Sequence, residues 1–142
     1  AQVKETVKNS GIKNGIVVVY SHHTTCSVIT QECAFDMSMT GRETLQQDLV
    51  DVFEKICPSY TREGISLHPG PKALKFAEEH GEDARGCHNT EAHLISSIIG
   101  RNVTAVIDDG EIDLGEFGFI YFIDWDKTRG RTRTVQIMVI GE

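Results

Sequence analysis

Apolar positions along the chain switch between a helical and an alternating period, and the switches predict the elements in order. Val3 to Ser10 carries a weak helical pattern that ends at Gly11. Gly15-Ile16-Val17-Val18-Val19-Tyr20-Ser21 is a β-branched run with turn residues ahead of it, hence a strand, and a second strand spans roughly Cys26 to Glu32. Thr40-Gly41-Arg42-Glu43 has the form of a capping box, after which Leu45, Leu49, Val50, Phe53 and Ile56 recur at helical spacing until Pro58. A short helix from Pro71 to Glu79 has proline in its first turn and Gly81 past its end. Asn89 or Thr90 reads as the N-cap of a further helix, whose run Leu94-Ile95-Ser96-Ser97-Ile98-Ile99 stops at Gly100. Asn102 to Ile107 and Glu111 to Leu114 read as strands joined by the tight turn Asp108-Asp109-Gly110. Two long strands follow, Gly115 to Asp124 and Arg131 to Ile140, with the polar loop Trp125 to Gly130 between them.

The strand from Gly115 to Asp124 is apolar on both faces, with Phe117, Phe119, Tyr121 and Ile123 on one and Ile120 and Phe122 on the other. Such a strand is either central in a covered sheet or part of a subunit contact. Strand pairs interrupted by helices, with a β-rich end, indicate an α+β fold with an antiparallel sheet core.

At 142 residues the chain is expected to form one domain, 1–142, without a linker, a repeat or a need for staples. Cys26, Cys33, Cys57 and Cys87 form no CxxC pair, and no signal-like or membrane-length apolar segment accompanies them, so they read as free thiols in a reducing cytoplasm. A formal charge of -7 argues against a dedicated nucleic-acid binder, which needs a basic face. A small anionic substrate remains compatible, because a few arginines can be gathered locally. The chain starts at Ala1, without an initiator methionine and in what reads as a helix, as a piece of a longer product would.

Candidate chemistry sits at the ends of the elements. His93 falls in the first turn of its helix, where the dipole opposes protonation and an imidazole kept neutral binds a metal, accepts a proton or orients an anion. The plain alternative is a capped amphipathic helix whose histidine packs. His22 and His23 point to opposite faces if the first strand continues through them, and periodicity does not choose between them. Glu32 and Asp124 end strands, as metal ligands, general bases or solvated termini do. Arg131 and Arg133 share a face with Val135, Ile137 and Val139, which suits a phosphate or carboxylate at a pocket mouth, or else an edge strand protected by charge. His68 and His80 read as surface groups. No phosphate loop, GxGxxG, HExxH or GxSxG motif is present.

Several segments together resemble the YjbQ-like family, associated with secondary thiamine-phosphate synthase activity. They are His23-Thr24-Thr25 with Glu32, Asp48, Asn89-Thr90-Glu91-Ala92-His93-Leu94 with Gly100, Asp109-Gly110, Leu114-Gly115, Asp124, Arg133 and Ile140-Gly141-Glu142. The resemblance implies a jelly-roll-like antiparallel β-sandwich with helices packed on it, a homotrimer, and a polar pocket near the subunit interface. It implies His23, Glu32, Asn89 and His93 as the catalytic set, with Asp124 and the last-strand arginine nearby, and favours His23 over His22. It also implies a strand ahead of the first helix, which this chain lacks. Gly115-Glu116-Phe117-Gly118-Phe119 departs from the common Gly-Thr-Trp-Gln-Gly, His68 to Cys87 has the character of an insertion, and His88 stands where glycine is frequent.

Two functions follow as expectations. One is an enzyme handling a phosphorylated small molecule, joining a pyrimidine diphosphate to a thiazole phosphate with loss of pyrophosphate. Here Thr24, Thr25, Arg131 and Arg133 bind the phosphates and Mg²⁺ on Glu32 or Asp124 assists. The other is a metal-binding protein or metal-dependent hydrolase, with His23, His88, His93, Glu32 and Asp124 as ligands and Zn²⁺ as the ion that nitrogen donors favour.

Overall fold

The computed structural model describes residues 1–59 and 66–142. In chain order it contains α1 (Gln2–Ser10), β1 (Gly15–Tyr20), β2 (Cys26–Glu32), α2 (Thr44–Ile56), α3 (Pro71–Glu79), a 3-10 turn at Ala84–Cys87, α4 (Thr90–Ile99), β3 (Asn102–Asp108), β4 (Glu111–Asp113), β5 (Gly118–Asp124) and β6 (Gln136–Gly141). Four strands form one sheet in the order β4-β3-β1-β6 and the other two form a β2-β5 ribbon. Every pairing is antiparallel, so the expected α+β class with antiparallel sheets is what the chain adopts.

Alternation along the strands sets the two cores. Val17 and Val19 of β1 point inward with Ala105 and Ile107 of β3, and meet Val7 of α1 and Val28 of β2. This core joins the two sheets face to face. On the other side of the ribbon, Phe53 and Cys57 near the end of α2 pack with Ala92 and Ile95 of α4, and with Trp125 just beyond β5. The ribbon is therefore sandwiched between the larger sheet and two helices. Ser96 Oγ donates to the Cys26 carbonyl at 2.6 Å and Trp125 Nε1 donates to Ser27 Oγ at 3.0 Å, which fixes α4 and the end of β5 against the start of β2. The turn between β3 and β4 follows the sequence reading, with Asp109 and Gly110 at φ 46° and 83°.

Four expectations change. The capping box does not form: Glu43 holds the N-cap place of α2 without a side-chain cap. Its carboxylate instead accepts from the Ala34 N–H at 2.9 Å and the Tyr121 hydroxyl at 2.8 Å, while Thr40 Oγ1 donates to Gln47. β5 starts at Gly118 rather than Gly115, whose φ of 71° belongs to a turn. β6 starts only at Gln136, so Arg131 and Arg133 precede the strand and its alternation does not orient them. Among the described residues β5 pairs with β2 alone, and Phe119 and Phe122 stay 49% and 39% exposed, so this strand is an edge and not the centre of a covered sheet.

Candidate functional site

A dense polar junction forms where the start of β2, the end of β5 and the start of α4 converge. Cys26 pairs with Asp124 across the ribbon, and the Trp125 N–H donates to the Thr25 carbonyl, so the segments on either side of the pair run together. Arg133 enters here from the segment before β6. Its Nε donates to Asp124 Oδ2 at 2.8 Å, and its Nη2 donates to Thr25 Oγ1 at 3.1 Å and lies 3.9 Å from Asp126 Oδ2. Arg131 reaches the same Asp126 oxygen at 3.8 Å.

Asp126 is the carboxylate that the sequence reading missed, because it lies in a stretch that reads only as a polar loop. Its side chain is fully buried. The Thr128 N–H and hydroxyl donate to Oδ1, and Asn89 Nδ2 donates to Oδ2 at 3.1 Å. Burial alone would push this carboxyl up, but the Thr128 and Asn89 hydrogen bonds and the neighbouring Arg133 outweigh it and hold the pKa below the ordinary carboxylate value. The same surroundings act oppositely on Cys26: desolvation, then the Asp124 charge, push its thiol up to about 11. Cys26 is thus an unreactive buried thiol.

His23 borders this junction. Its Nε2 accepts the Thr134 N–H at 3.0 Å, which requires that nitrogen to be unprotonated. Partial desolvation, the adjacent His22 and Arg133 lower its pKa, consistent with a neutral ring. With Nε2 occupied, His23 ties the β6 approach to the β1–β2 turn and does not offer that lone pair to a substrate.

A second group surrounds the start of α4. His68 and His93 meet edge to face with ring centroids 5.3 Å apart. The Thr90 hydroxyl donates to the His68 carbonyl at 2.8 Å, so its oxygen is left to accept from His68 Nδ1 at 3.1 Å. That assignment leaves Nε2 of neutral His68 as a bare lone pair. Desolvation, then His93 and His88, lower the His68 pKa. Asn89 occupies the N-cap place at φ -128° and ψ 34° without a side-chain cap bond, and its Nδ2 donates to Asp126. The Ala92 and His93 N–H groups donate to the Asn89 carbonyl, so of the first turn only those of Thr90 and Glu91 are left for an anion. His88 also lines an open cleft of about 870 Å³ between α3 and the 3-10 turn, with Leu74, Lys75, Glu78 and Glu82.

The structure thus joins Thr25, Asn89, Asp124, Arg131 and Arg133 in one network, with His23 touching it through Thr134 and His93 one turn along α4 from Asn89. Thr24 is exposed beside it. Glu32 is not brought in: it is exposed and pairs with Gly118, at the far end of the β2-β5 ladder from Cys26–Asp124, roughly 20 Å away at strand rise. His68, set aside as a surface group, contacts His93 directly; a histidine flanked by an insertion-like segment was its only sequence signal.

A divalent metal does not fit these donors well. Asp124 and Asp126 are engaged by arginines, and His23 Nε2 by a backbone N–H. Among the described residues no group of three or more His, Cys, Asp or Glu stands where it could hold a metal ion. Among the same residues no helix is long and apolar enough to cross a membrane.

The profile of the family described as UPF0047 protein YjbQ-like matches residues 1–142. The chain is 25% identical over 137 residues to UPF0047 protein YugU of Bacillus subtilis, covering 96% of this chain and 84% of that protein. It is 27% identical over 132 residues to a UPF0047 protein of Methanocaldococcus jannaschii, covering 93% and 76%. Among solved structures, an uncharacterized conserved protein of the yjbq/upf0047 family from Clostridium acetobutylicum superposes with a TM-score of 0.71 at 24% identity, covering 98% of this chain and 85% of that one. A hypothetical protein from Aeropyrum pernix K1 superposes at 0.69 with 25% identity, covering 100% and 85%.

Proposed function

The chain belongs to the UPF0047 YjbQ-like family, and on that premise we propose that it is an enzyme acting on a phosphorylated small molecule at the histidine-lined start of α4. The observation that supports this most is the bare Nε2 of His68 beside His93, at a helix N-terminus whose cap residue makes no side-chain cap bond. The first N–H groups of α4 receive phosphate oxygens, Arg131 adds positive charge from the junction, and neutral His68 accepts a proton or orients the attacking group. Arg133, neutralised by Asp124 and Asp126, shapes the site and is not itself the phosphate hook. Formation of thiamine phosphate from a pyrimidine diphosphate and a thiazole phosphate is the first reaction to assay. In it a C–N bond forms as the C–O bond to the diphosphate breaks, and pyrophosphate leaves with the electron pair.

The assembly proposed with this activity is a homotrimer in the cytoplasm, with the exposed Phe119 and Phe122 of the β5 edge in the subunit contact. A monomer by light scattering at micromolar concentration removes that part of the reading.

The test compares wild type, His68→Phe and His93→Ala in thiamine-phosphate formation and phosphomonoester hydrolysis. Each variant is expected to lose roughly 10²–10⁴ in kcat at a nearly unchanged thermal midpoint. Unaltered turnover in His68→Phe refutes the assigned role. An inactive wild type that binds phosphate tightly makes the chain a binding protein instead.

A further inference from the structure

We propose that the outer face of the β4-β3-β1-β6 sheet is a self-association surface, on which a second copy of this chain seats with its strands running against those of the first. This contact is separate from the β5 edge and does not rest on the phosphate reading.

Strand alternation builds the face. Val17, Val19, Ala105 and Ile107 point into the core, so Ile16, Val18 and Tyr20 of β1 and Thr104 and Val106 of β3 point outward. Register then stacks apolar side chains across three strands: Ile16 lies between Val106 and Ile140, and Val18 between Thr104 and Met138. α1 and the β2-β5 ribbon pack on the inner side. Among the described residues nothing covers the outer one, where Ile16, Val106, Ile140 and Met138 are 37–62% exposed. An antiparallel sheet with one face in water ordinarily turns polar side chains outward, and here the outward rows are apolar as well.

Two observations select a second copy as the occupant. One is area: those four side chains leave roughly 400 Å² of apolar surface uncovered, about the apolar half of the ~800 Å² that each partner gives to a stable interface. The other is charge. One end of the face carries Arg101, its guanidinium 5.9 Å from the Tyr20 ring centroid, while the other end carries Asp108 with its ladder partner Glu111. Between the ends, the outward positions Ile16, Val18, Thr104, Val106, Met138 and Ile140 are uncharged. A face with opposite charges at its two ends matches a copy of itself turned end over end. Arg101 of each copy then lies over the acidic end of the other, and the apolar rows cover each other. A partner of uniform charge would meet one end with like charge.

The test is light scattering of the full chain across a micromolar concentration series, in which wild type is expected to be oligomeric. Met138→Lys, which would bury an unpaired ammonium within the contact, is expected to weaken association about thirtyfold or more while the circular dichroism stays that of wild type. Val106→Lys carries the same test if Met138→Lys does not fold. Orientation is read by charge exchange. Arg101→Glu is expected to weaken association about two- to fivefold. Arg101→Glu with Asp108→Arg keeps the net charge at -7, because the changes of -2 and +2 cancel, and is expected to restore it.

Wild type that scatters as a monomer overturns the inference and leaves the face to a partner of other chemistry. An oligomer left intact by Met138→Lys, or by Val106→Lys where the first does not fold, overturns it while sparing the β5-edge contact. A charge exchange that binds no better than Arg101→Glu alone overturns the end-over-end seating.

Discussion

Replacing Arg133 with Met keeps most of the aliphatic stem and removes the guanidinium from between two carboxylates. The Arg133 side chain is 10% exposed and Asp124 26%, while the Asp126 side chain is fully buried. Breaking a fully buried ion pair from one side costs about 3–5 kcal/mol. Asp124 recovers some hydration, and Asp126 keeps Asn89, Thr128 and the longer Arg131 contact, so the cost here is about 2–3 kcal/mol. For a chain of this length that lowers the thermal midpoint by roughly 6–15 °C. Urea titrations at several pH values give the assay. The folded Asp126 pKa lies below its ordinary 3.8. Its contribution is therefore fully present above about pH 3.8 and lost as pH falls through the lower folded value. The gap between wild type and variant should hold from neutral pH down to that region and shrink below it. The exposed Arg85–Asp83 pair is the control, and Arg85→Met should change nothing measurable. A gap below about 0.5 kcal/mol at pH 7 for Arg133→Met refutes the reasoning, since only a solvated guanidinium behaves that way.

His23 and His68 should titrate by NMR with midpoints below 6.5, because both are lowered chiefly by desolvation; either one above that value contradicts its assigned hydrogen bonds. Since a lowered folded pKa means that the unfolded chain takes up more protons, stability should fall as pH drops through about 6.5, and His23→Asn should reduce that slope. Iodoacetamide at pH 8 should modify Cys33 and Cys87, both partly accessible, well before Cys26, whose buried thiol sits near 11; mass spectrometry of early peptides reads the order.

Local chemistry was legible wherever the signal is confined to a few neighbouring residues. Asn89 and Gly100 bound α4 because a cap place and a positive φ, here 97° at Gly100, are properties of single positions. Asp109-Gly110 forced the β3–β4 turn for the same reason. The capping box failed because Glu43 found better acceptor work with Ala34 and Tyr121, a partner 78 residues away that no local pattern contains. The orientation of Arg131 and Arg133 was read from a strand period that begins only at Gln136. Their convergence on one junction comes instead from Asp124 and Asp126.

The sequence by itself determined the α+β class, the order of the elements, the cap place at Asn89, and the candidates His93 and Asp124, because periodicity and termini are short-range consequences of backbone geometry, while the inward face of β1 was left open. Only the tertiary structure decided which of the candidates meet. The antiparallel register of β2 with β5 put Cys26 opposite Asp124 and sent Glu32 to the other end of the ladder. Packing of α4 on the ribbon carried Asn89 to Asp126 across 37 residues of chain, and turned an unremarked loop aspartate into the most buried charge of the site. Charges recruit partners through space, and the distance that matters to them is fixed only once the apolar faces have chosen how to pack.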